Sequence, residues 1–445
     1  MKILLVQPKM NKRPMDTDLK TRMAPSLALL TLAGLTPAPH TVEIANENIG
    51  EIDFDYGADL VAVTVTVDVM PRAAGIAREF QKRGVPVVAG GIHITCCPDE
   101  AAPFFDAICV GPAERVWQRM LDDAARGSLQ KTYRDTDGFL SGELASPAYG
   151  AVHSEPYLYT NIIATSRGCP NRCAFCYNSS PNRAHIVRPV DDIMRDIAAL
   201  GTRHILFIDD NFIGDPARAE ALLLRMRGMR LTWGAAVTTR VLDHPRLLDL
   251  MAETGCKSLF IGLESVNNDS LRDVGKDNAF EKYDAIAEAV HSRGIMLNAS
   301  MVFGLDADGP DVFDKTLDWL VTRKIETLTS HILTPYPGTA LHRRMEADGR
   351  ITSRDLSLYN TAHVVFRPAR MTPEQLRDGY LRMYRRFYSF GNIIRRLPRH
   401  RRQWIPYLLF NLFYRKFGRF TSLLARIVPM RVLGRHAARI SYRVR

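Results

Sequence analysis

The sequence predicts an α/β protein: two strand–helix arrays in succession, closed by a helical, strongly basic extension. Three observations predict it. Apolar, β-branched runs alternate with amphipathic helical stretches from residue 1 to about 126, and the alternation resumes at Asn161 and runs to about Gly349. Between the arrays, residues 127–160 are rich in Gly, Ser, Pro and Tyr and lack periodicity, so they read as a linker. From Gly379 to Arg445 there are 17 Lys and Arg residues and no Asp or Glu. At 445 residues the chain exceeds one typical core, so two or three domains are expected.

The first array opens with KILLVQP, an apolar run too short for a signal peptide and stopped by Pro8, so it reads as a strand. Ser26–Leu35 follows as a helix with Ser26 as its cap. TVEIANE is the second strand, and Asp59–Val67 is a continuous run of the kind buried in a parallel sheet. Pro71–Gly84 is an amphipathic helix with Pro at its start and Gly at its end. VPVVAGGIH, DAICVG and the helix Ala113–Gly127 complete the pattern. Five strands interleaved with helices predict a doubly wound, Rossmann-like sheet, which binds ligands at the carboxyl ends of its strands.

The second array holds six strand–helix units, beginning at NIIATSR, HILFIDDNF, LTWGAAVTTR, KSLFIGLES, IMLNASMVFGLD and ETLTSHILTPYPGT. Six are too few to close an eight-stranded barrel, but the same rule places ligand-facing residues at the strand ends. It selects Asp209 and Asp210 after the second strand, Thr238 and Arg240 after the third, and Glu264 and Ser265 after the fourth. Ser300, Gly304 and Pro335–Tyr336 complete the set.

Directly after the first of these strands, ATSRGCPNRCAFCYN places Cys169, Cys173 and Cys176 in a Cys-x-x-x-Cys-x-x-Cys loop. Three thiolates at that spacing can hold three corners of a 4Fe–4S cube and leave the fourth iron without a protein ligand, whereas electron-transfer clusters use four cysteines. A zinc site would want a further Cys/His pair at fixed spacing, and none is visible in the sequence. A redox sensor is the other alternative. The chain has seven cysteines, three of them in this loop, so no secreted disulfide framework is expected and a reducing cytoplasm fits best. Cys96, Cys97, Cys109 and Cys256 read as small buried side chains.

The loop spacing, the aromatic Phe175 and the preceding strand resemble the radical S-adenosylmethionine (SAM) superfamily. That resemblance implies a partial (β/α)6, TIM-like barrel over 161–350. It implies a 4Fe–4S cluster on Cys169, Cys173 and Cys176 whose open iron binds SAM and whose electron cleaves it to a 5′-deoxyadenosyl radical. Asp209 and Asp210 then face the SAM ammonium, Arg240 its carboxylate, Glu264 the ribose, and Ser300 the adenine or substrate. A flavodoxin- or ferredoxin-type electron donor is implied as a partner.

The first array, over 1–126, resembles the cobalamin-binding domain of one branch of that superfamily. Thr66, Gly90, Gly91 and Glu114, after Gly111, stand where the family contacts the cofactor. The Asp-x-His-x-x-Gly motif that offers a histidine to cobalt is missing, and His93 stands in the wrong place for it. Cobalamin without a lower protein ligand, or an empty remnant, are the two expectations. A methylthiotransferase would need a second cysteine triad, which Cys96, Cys97 and Cys109 do not form.

Charge separates body from tail. Of the 59 Lys and Arg, 17 lie beyond residue 378, leaving 42 basic against 48 acidic residues in the body. The overall +11 thus belongs to the tail, which argues against nucleic acid as the partner of the body. Within the helical C-terminal region, 351–445, Met371–Phe390 reads as a helix with Thr372 as cap and Pro373 in its first turn. Trp404–Tyr414 is too short to span a bilayer and suits either an interfacial helix on anionic lipid or a tail packed on the acidic body.

The function expected is modification of an unactivated carbon. Cobalamin-dependent methylation of a lipid-like or secondary-metabolite small molecule leads. A ring-forming or oxidative radical cyclase is the alternative, and a non-catalytic iron–sulfur sensor or electron carrier is the alternative of another class. The localisation expected is cytoplasmic, with peripheral contact at the inner membrane surface through the tail.

Overall fold

The computed structural model describes residues 1–17, 19–135, 144–154, 156–180, 185–424 and 426–441. The middle of the expected linker and the last four residues therefore lie outside the described residues.

The first sheet is all parallel, in the order β2–β1–β3–β4–β5–β6. Its strands are β1 (Lys2–Gln7), β2 (Thr41–Asn46), β3 (Leu60–Thr64), β4 (Val87–Gly90), β5 (Ala107–Val110) and β6 (Thr132–Arg134). Alternate residues of β3 feed opposite faces. Val61 and Val63 pack under the helix Met70–Gln81, and Leu60 and Ala62 under the helices Leu27–Leu35 and Trp117–Ala125. Apolar cores on both faces explain the unbroken β-branched run.

Two local expectations are corrected. Ser26 precedes its helix in an extended conformation, but its hydroxyl makes no capping bond. β6 comes from the stretch read as linker. Three residues are too few for a periodic signal; what fixes them is Tyr133, fully buried, whose hydroxyl donates to Asp123 Oδ2 at 2.7 Å.

The second sheet is also parallel, with its strands in sequential order. They are β7 (Ile162–Ile163), β10 (His204–Phe207), β11 (Thr232–Thr238), β12 (Cys256–Glu264), β13 (Met296–Phe303) and β14 (Thr327–Ile332). A short antiparallel ribbon, β8 (Ser166–Arg167) with β9 (Ile186–Val187), is inserted after β7 and frames the cysteine loop. Helices pack on the sheet through one continuous apolar core.

The exposed edge of such a sheet would pair with foreign strands unless covered. Here Tyr388 Oη bonds both the N–H and the C=O of Leu328 on β14, and Thr361 C=O accepts from Ile332 N–H at 2.8 Å. Arg396, fully buried, donates to the carbonyls of Ile325, Glu326 and Phe387 and lies 3.5 Å over the Phe387 ring. The helix Pro373–Phe387 that brings these groups begins in a capping box, Thr372 with Gln375, as the sequence suggests. Its Gly379 lets the helix lie against the helix Val312–Thr322, because a Cβ there would run into the Phe313 ring. Gly379→Ala is expected to lower stability by about 2 kcal/mol through overpacking, read as a shifted urea midpoint with an unchanged slope.

The two sheets meet at their carboxyl ends. A Cβ on Gly338 (φ +85°) would lie 2.8 Å from Cys96 O, Tyr177 stacks on Tyr336 at 4.5 Å, and Val67 is buried with Tyr359 and Val365. Beyond the second array, Trp404–Leu408 continues through π-helical turns, Leu409–Lys416, to the helices Gly418–Leu424 and Met430–Ser441. Among the described residues no helix is long and apolar enough to cross a membrane.

Candidate functional site

The cysteine loop leaves β7 through Thr165 and Ser166, and a buried carboxylate fixes that exit. Asp209, at the end of β10, accepts from Thr165 N–H at 3.0 Å, Thr165 Oγ1 at 2.8 Å and Ser166 Oγ at 2.5 Å. Burial pushes the Asp209 carboxyl up, against Ser166, Arg218 and Thr165, which favour its charge. Asp209 is therefore engaged at the base of the loop. Its neighbour Asp210 is exposed and within electrostatic reach of Cys169 and Cys176.

The loop turns at Gly168 (φ +76°) and is pinned at its middle. Ala174 N–H donates to Val274 C=O at 2.9 Å, and Ala174 C=O accepts from Leu341 N–H at 3.0 Å. Cys173 is buried and Cys169 and Cys176 are half-buried. Burial raises all three thiols, Cys176 to about 11, and their mutual repulsion adds to the shift of Cys173 and Cys176. Among the described residues no three Cys, His, Asp or Glu side chains converge tightly enough to hold a single metal ion. Zinc would require sulfurs about 2.3 Å from one point, so the thiols share a neighbourhood without forming a closed mononuclear site.

Lys276 lies within electrostatic reach of two of these thiols, Cys173 and Cys169, and no periodicity or motif in the sequence marks it. Lys276, buried, forms an ion pair with buried Glu264 at 2.9 Å. Burial opposes its charge, but Glu264 and the thiols of Cys173 and Cys169 hold the ammonium above its ordinary pKa. Glu264 sits in the left-handed region (φ +72°) at a register shift between β12 and β13. Gly262 makes room: a Cβ there would lie 2.6 Å from Glu264 Oε1 and 3.0 Å from Lys276 Nζ. A carboxylate held in a costly conformation thus meets a buried ammonium near two of the thiols, at the carboxyl end of the second sheet. Ser300 is buried on β13 opposite Gly262 and Thr329. Arg240 stands apart on the rim, 57% exposed and 3.9 Å from Asp243.

The second feature is a cavity of about 610 Å3 along one face of the first sheet. It runs between the helices Leu27–Leu35 and Trp117–Ala125, past Ala62 and Val88, to the ends of β3, β4 and β5. From there it reaches Ala164, Arg167 and Arg188 of the second array. Thr66, Gly90, Gly91 and Glu114, separate in sequence, all line it. Gly91 (φ +113°) is required by the turn, since a Cβ would meet Val65 O at 2.7 Å. Glu114 is buried and pairs with Arg167 at 2.7 Å, joining the two arrays across the cavity. Sequence reasoning missed Arg134, Asp135 and Arg188, which also line it and lie in or beside strands too short to read. His93 does not line it. Its ring is fully buried with neither nitrogen hydrogen-bonded, and burial pushes it down to about 4. No histidine lines the cavity among the described residues.

Residues 163–320, from β7 through the cysteine loop to the helix after β13, match the family model described as the Radical SAM superfamily. The chain carries a radical SAM domain. Residues 339–439, overlapping the edge-covering segments, match a domain of unknown function, DUF4070. The bacteriochlorophyllide d C-12(1)-methyltransferase of Chlorobaculum tepidum is 28% identical over 93% of this chain and 94% of its own length. The cobalamin-dependent SAM radical enzyme OxsB, solved with aqua-cobalamin and SAM bound, superposes with a TM-score of 0.68 at 15% identity, over 99% of this chain and 75% of that one. TsrM from Kitasatospora setae, a radical SAM methyltransferase solved with cobalamin and a [4Fe-4S] cluster, gives 0.62 at 19% identity, over 78% of this chain and 75% of that chain. At these identities the structural likeness is one of fold.

The radical SAM domain fits a 4Fe–4S cluster by its donor set: three thiols on one pinned loop, with a buried ammonium near two of them, Cys173 and Cys169. The adjoining cavity fits a corrinoid tail by its glycine-lined mouth and apolar depth.

Proposed function

We propose that this chain is a radical SAM enzyme that methylates an unactivated carbon of a small, lipid-like or secondary-metabolite substrate with cobalamin as methyl carrier. The observation that carries the reading is adjacency. The glycine-lined cavity of the first array reaches the strand end from which the cysteine loop departs, so one reaction space is shared by both. When bound, the cluster with SAM supplies a carbon radical and the corrinoid a methyl group.

In this reading residues 1–126, with β6 added, form the cobalamin domain, 161–350 the partial barrel, and 351–445 a helical cover. Cys169, Cys173 and Cys176 hold the cluster. Asp210 receives the SAM ammonium, Glu264 and Ser300 border the nucleoside, and Lys276 offsets the cluster's negative charge. Thr66, Gly90, Gly91 and Glu114 border the corrinoid, with no histidine offered to cobalt. Asp209 is a positioning residue for the loop, and Arg240 would have to swing inward from the rim to meet a carboxylate. A small electron-transfer protein of the cytoplasm supplies the electron.

The test is anaerobic reconstitution of the full chain, dithionite reduction and addition of SAM. 5′-Deoxyadenosine release and a corrinoid absorption band are the expected results. Thr64→Trp, which fills the cavity at the end of β3, should cut bound cobalamin at least tenfold while iron content stays unchanged. A protein with a full complement of iron that never cleaves SAM would make it a non-catalytic iron–sulfur module. Deoxyadenosine release with no corrinoid uptake would favour the oxidative cyclase.

A further inference from the structure

Ten of the thirteen large apolar side chains exposed among the described residues lie between Phe390 and Ile427. Scattered exposure is ordinary, but concentration in one segment marks a contact surface. Phe413, Phe417, Phe420, Leu424 and Ile427 recur at three- and four-residue intervals across the π-helical turns, the helix Gly418–Leu424 and the turn that follows, all of them exposed, and Phe390 joins them by packing on Phe417 at 5.9 Å. The opposite side of the same segment is docked. Tyr407 is buried with Met296 and Ile393, Asn411 donates to Glu326 C=O, and Met430 is buried against Leu19. The tail is thus held on the body by one face and presents an apolar stripe on the other.

Charge identifies what the stripe meets. Lys416 lies 5.0 Å over the Phe390 ring, Arg419 is exposed next to Phe420 in the chain, Arg435 and Arg439 are exposed on the helix that follows, and no acidic residue occurs beyond residue 378. A second copy of this surface would bring two like-charged faces together. Nucleic acid would use the charge and leave the phenylalanines and leucines without an apolar partner. An anionic bilayer uses both, because phosphates attract the basic side chains while the apolar stripe enters the acyl boundary. The acidic body is repelled by the same surface, which fixes the orientation. We infer that the tail, over residues 390–439, docks this protein on anionic lipid membranes as a peripheral, non-spanning contact, independently of the chemistry of its cavity.

Flotation of the full chain with vesicles tests it. Binding to phosphatidylcholine–phosphatidylglycerol vesicles should exceed binding to phosphatidylcholine alone by roughly tenfold or more and fall steeply with added salt. Phe420→Ser with Ile427→Ser removes side chains that are 66% and 79% exposed, so the fold should persist by circular dichroism while binding drops roughly tenfold. Arg419→Glu with Arg435→Glu should give a loss of the same order on anionic vesicles only. Equal recovery on both vesicle types, or undiminished binding of the serine variant, would overturn the inference. So would a doubling of mass in solution that the serine variant abolishes, with no lipid binding.

Discussion

Cys173→Ala is expected to abolish both iron–sulfur content and SAM cleavage while leaving the fold in place. Cys173 is the buried member of the triad, and its neighbour Ala174 holds the loop through two backbone hydrogen bonds that the substitution does not touch. Removing one sulfur from a small buried side chain should lower stability by only about 1 kcal/mol. The cluster is affected far more, because two thiolates cannot retain a cube that already lacks a fourth protein ligand. Iron per chain after anaerobic reconstitution should fall from about four to well under one. Cys256→Ala supplies the control: that thiol is buried near the start of β12, away from the strand ends, and its loss should leave iron content unchanged. A Cys173→Ala protein that still releases 5′-deoxyadenosine would refute the assignment of the loop.

Lys276→Gln is expected to have two separable effects. The ammonium and the Glu264 carboxylate are both buried, and removing one partner of such a pair leaves an uncompensated charge, at a cost of roughly 3–5 kcal/mol. Urea unfolding should record that loss. The second variant, Lys276→Gln with Glu264→Gln, should recover much of it, because two neutral groups can hydrogen-bond where one carboxylate cannot remain charged. The other effect is electrostatic. Lys276 lies within the field of Cys173 and Cys169, so its positive charge would stabilise the more negative, reduced form of a cluster held there. Lys276→Gln and the double variant should both show a lower reduction potential in an EPR-monitored titration, and Lys276→Arg should stay near the parent. A potential that follows stability rather than charge would reduce Lys276 to a packing role.

The two parallel sheets, the six units of the second and the cysteine loop were legible because each is written in local pattern: β-branched runs, helical periodicity, fixed spacing. Strand-end reasoning also gathered Thr66, Gly90, Gly91 and Glu114 onto one cavity before any geometry was known. It could not tell two adjacent residues apart. Asp209 and Asp210 are equivalent in sequence, yet just beyond β10 the first is buried on Thr165 and Ser166 and the second is exposed. Lys276 was missed because it belongs to a loop after a short helix, tied to the cysteine loop by the long-range hydrogen bond from Ala174 N–H to Val274 C=O. β6 and the β8–β9 ribbon are two or three residues each, below the length at which alternation can be detected.

The covering of β14 bears on how the chain can be divided. Tyr388, Arg396 and Thr361 all come from beyond residue 347 and satisfy the outer rim of the last strand of the radical SAM domain. The region matching a domain of unknown function is in this respect a missing wall of its neighbour rather than a passenger. A chain ended after the helix Ala340–Ala347 would offer a bare ladder of amides to any passing strand, and its fate would be self-association before chemistry. Domain-by-domain dissection of this protein would therefore measure the consequences of an open seam unless the piece studied keeps Thr361, Tyr388 and Arg396.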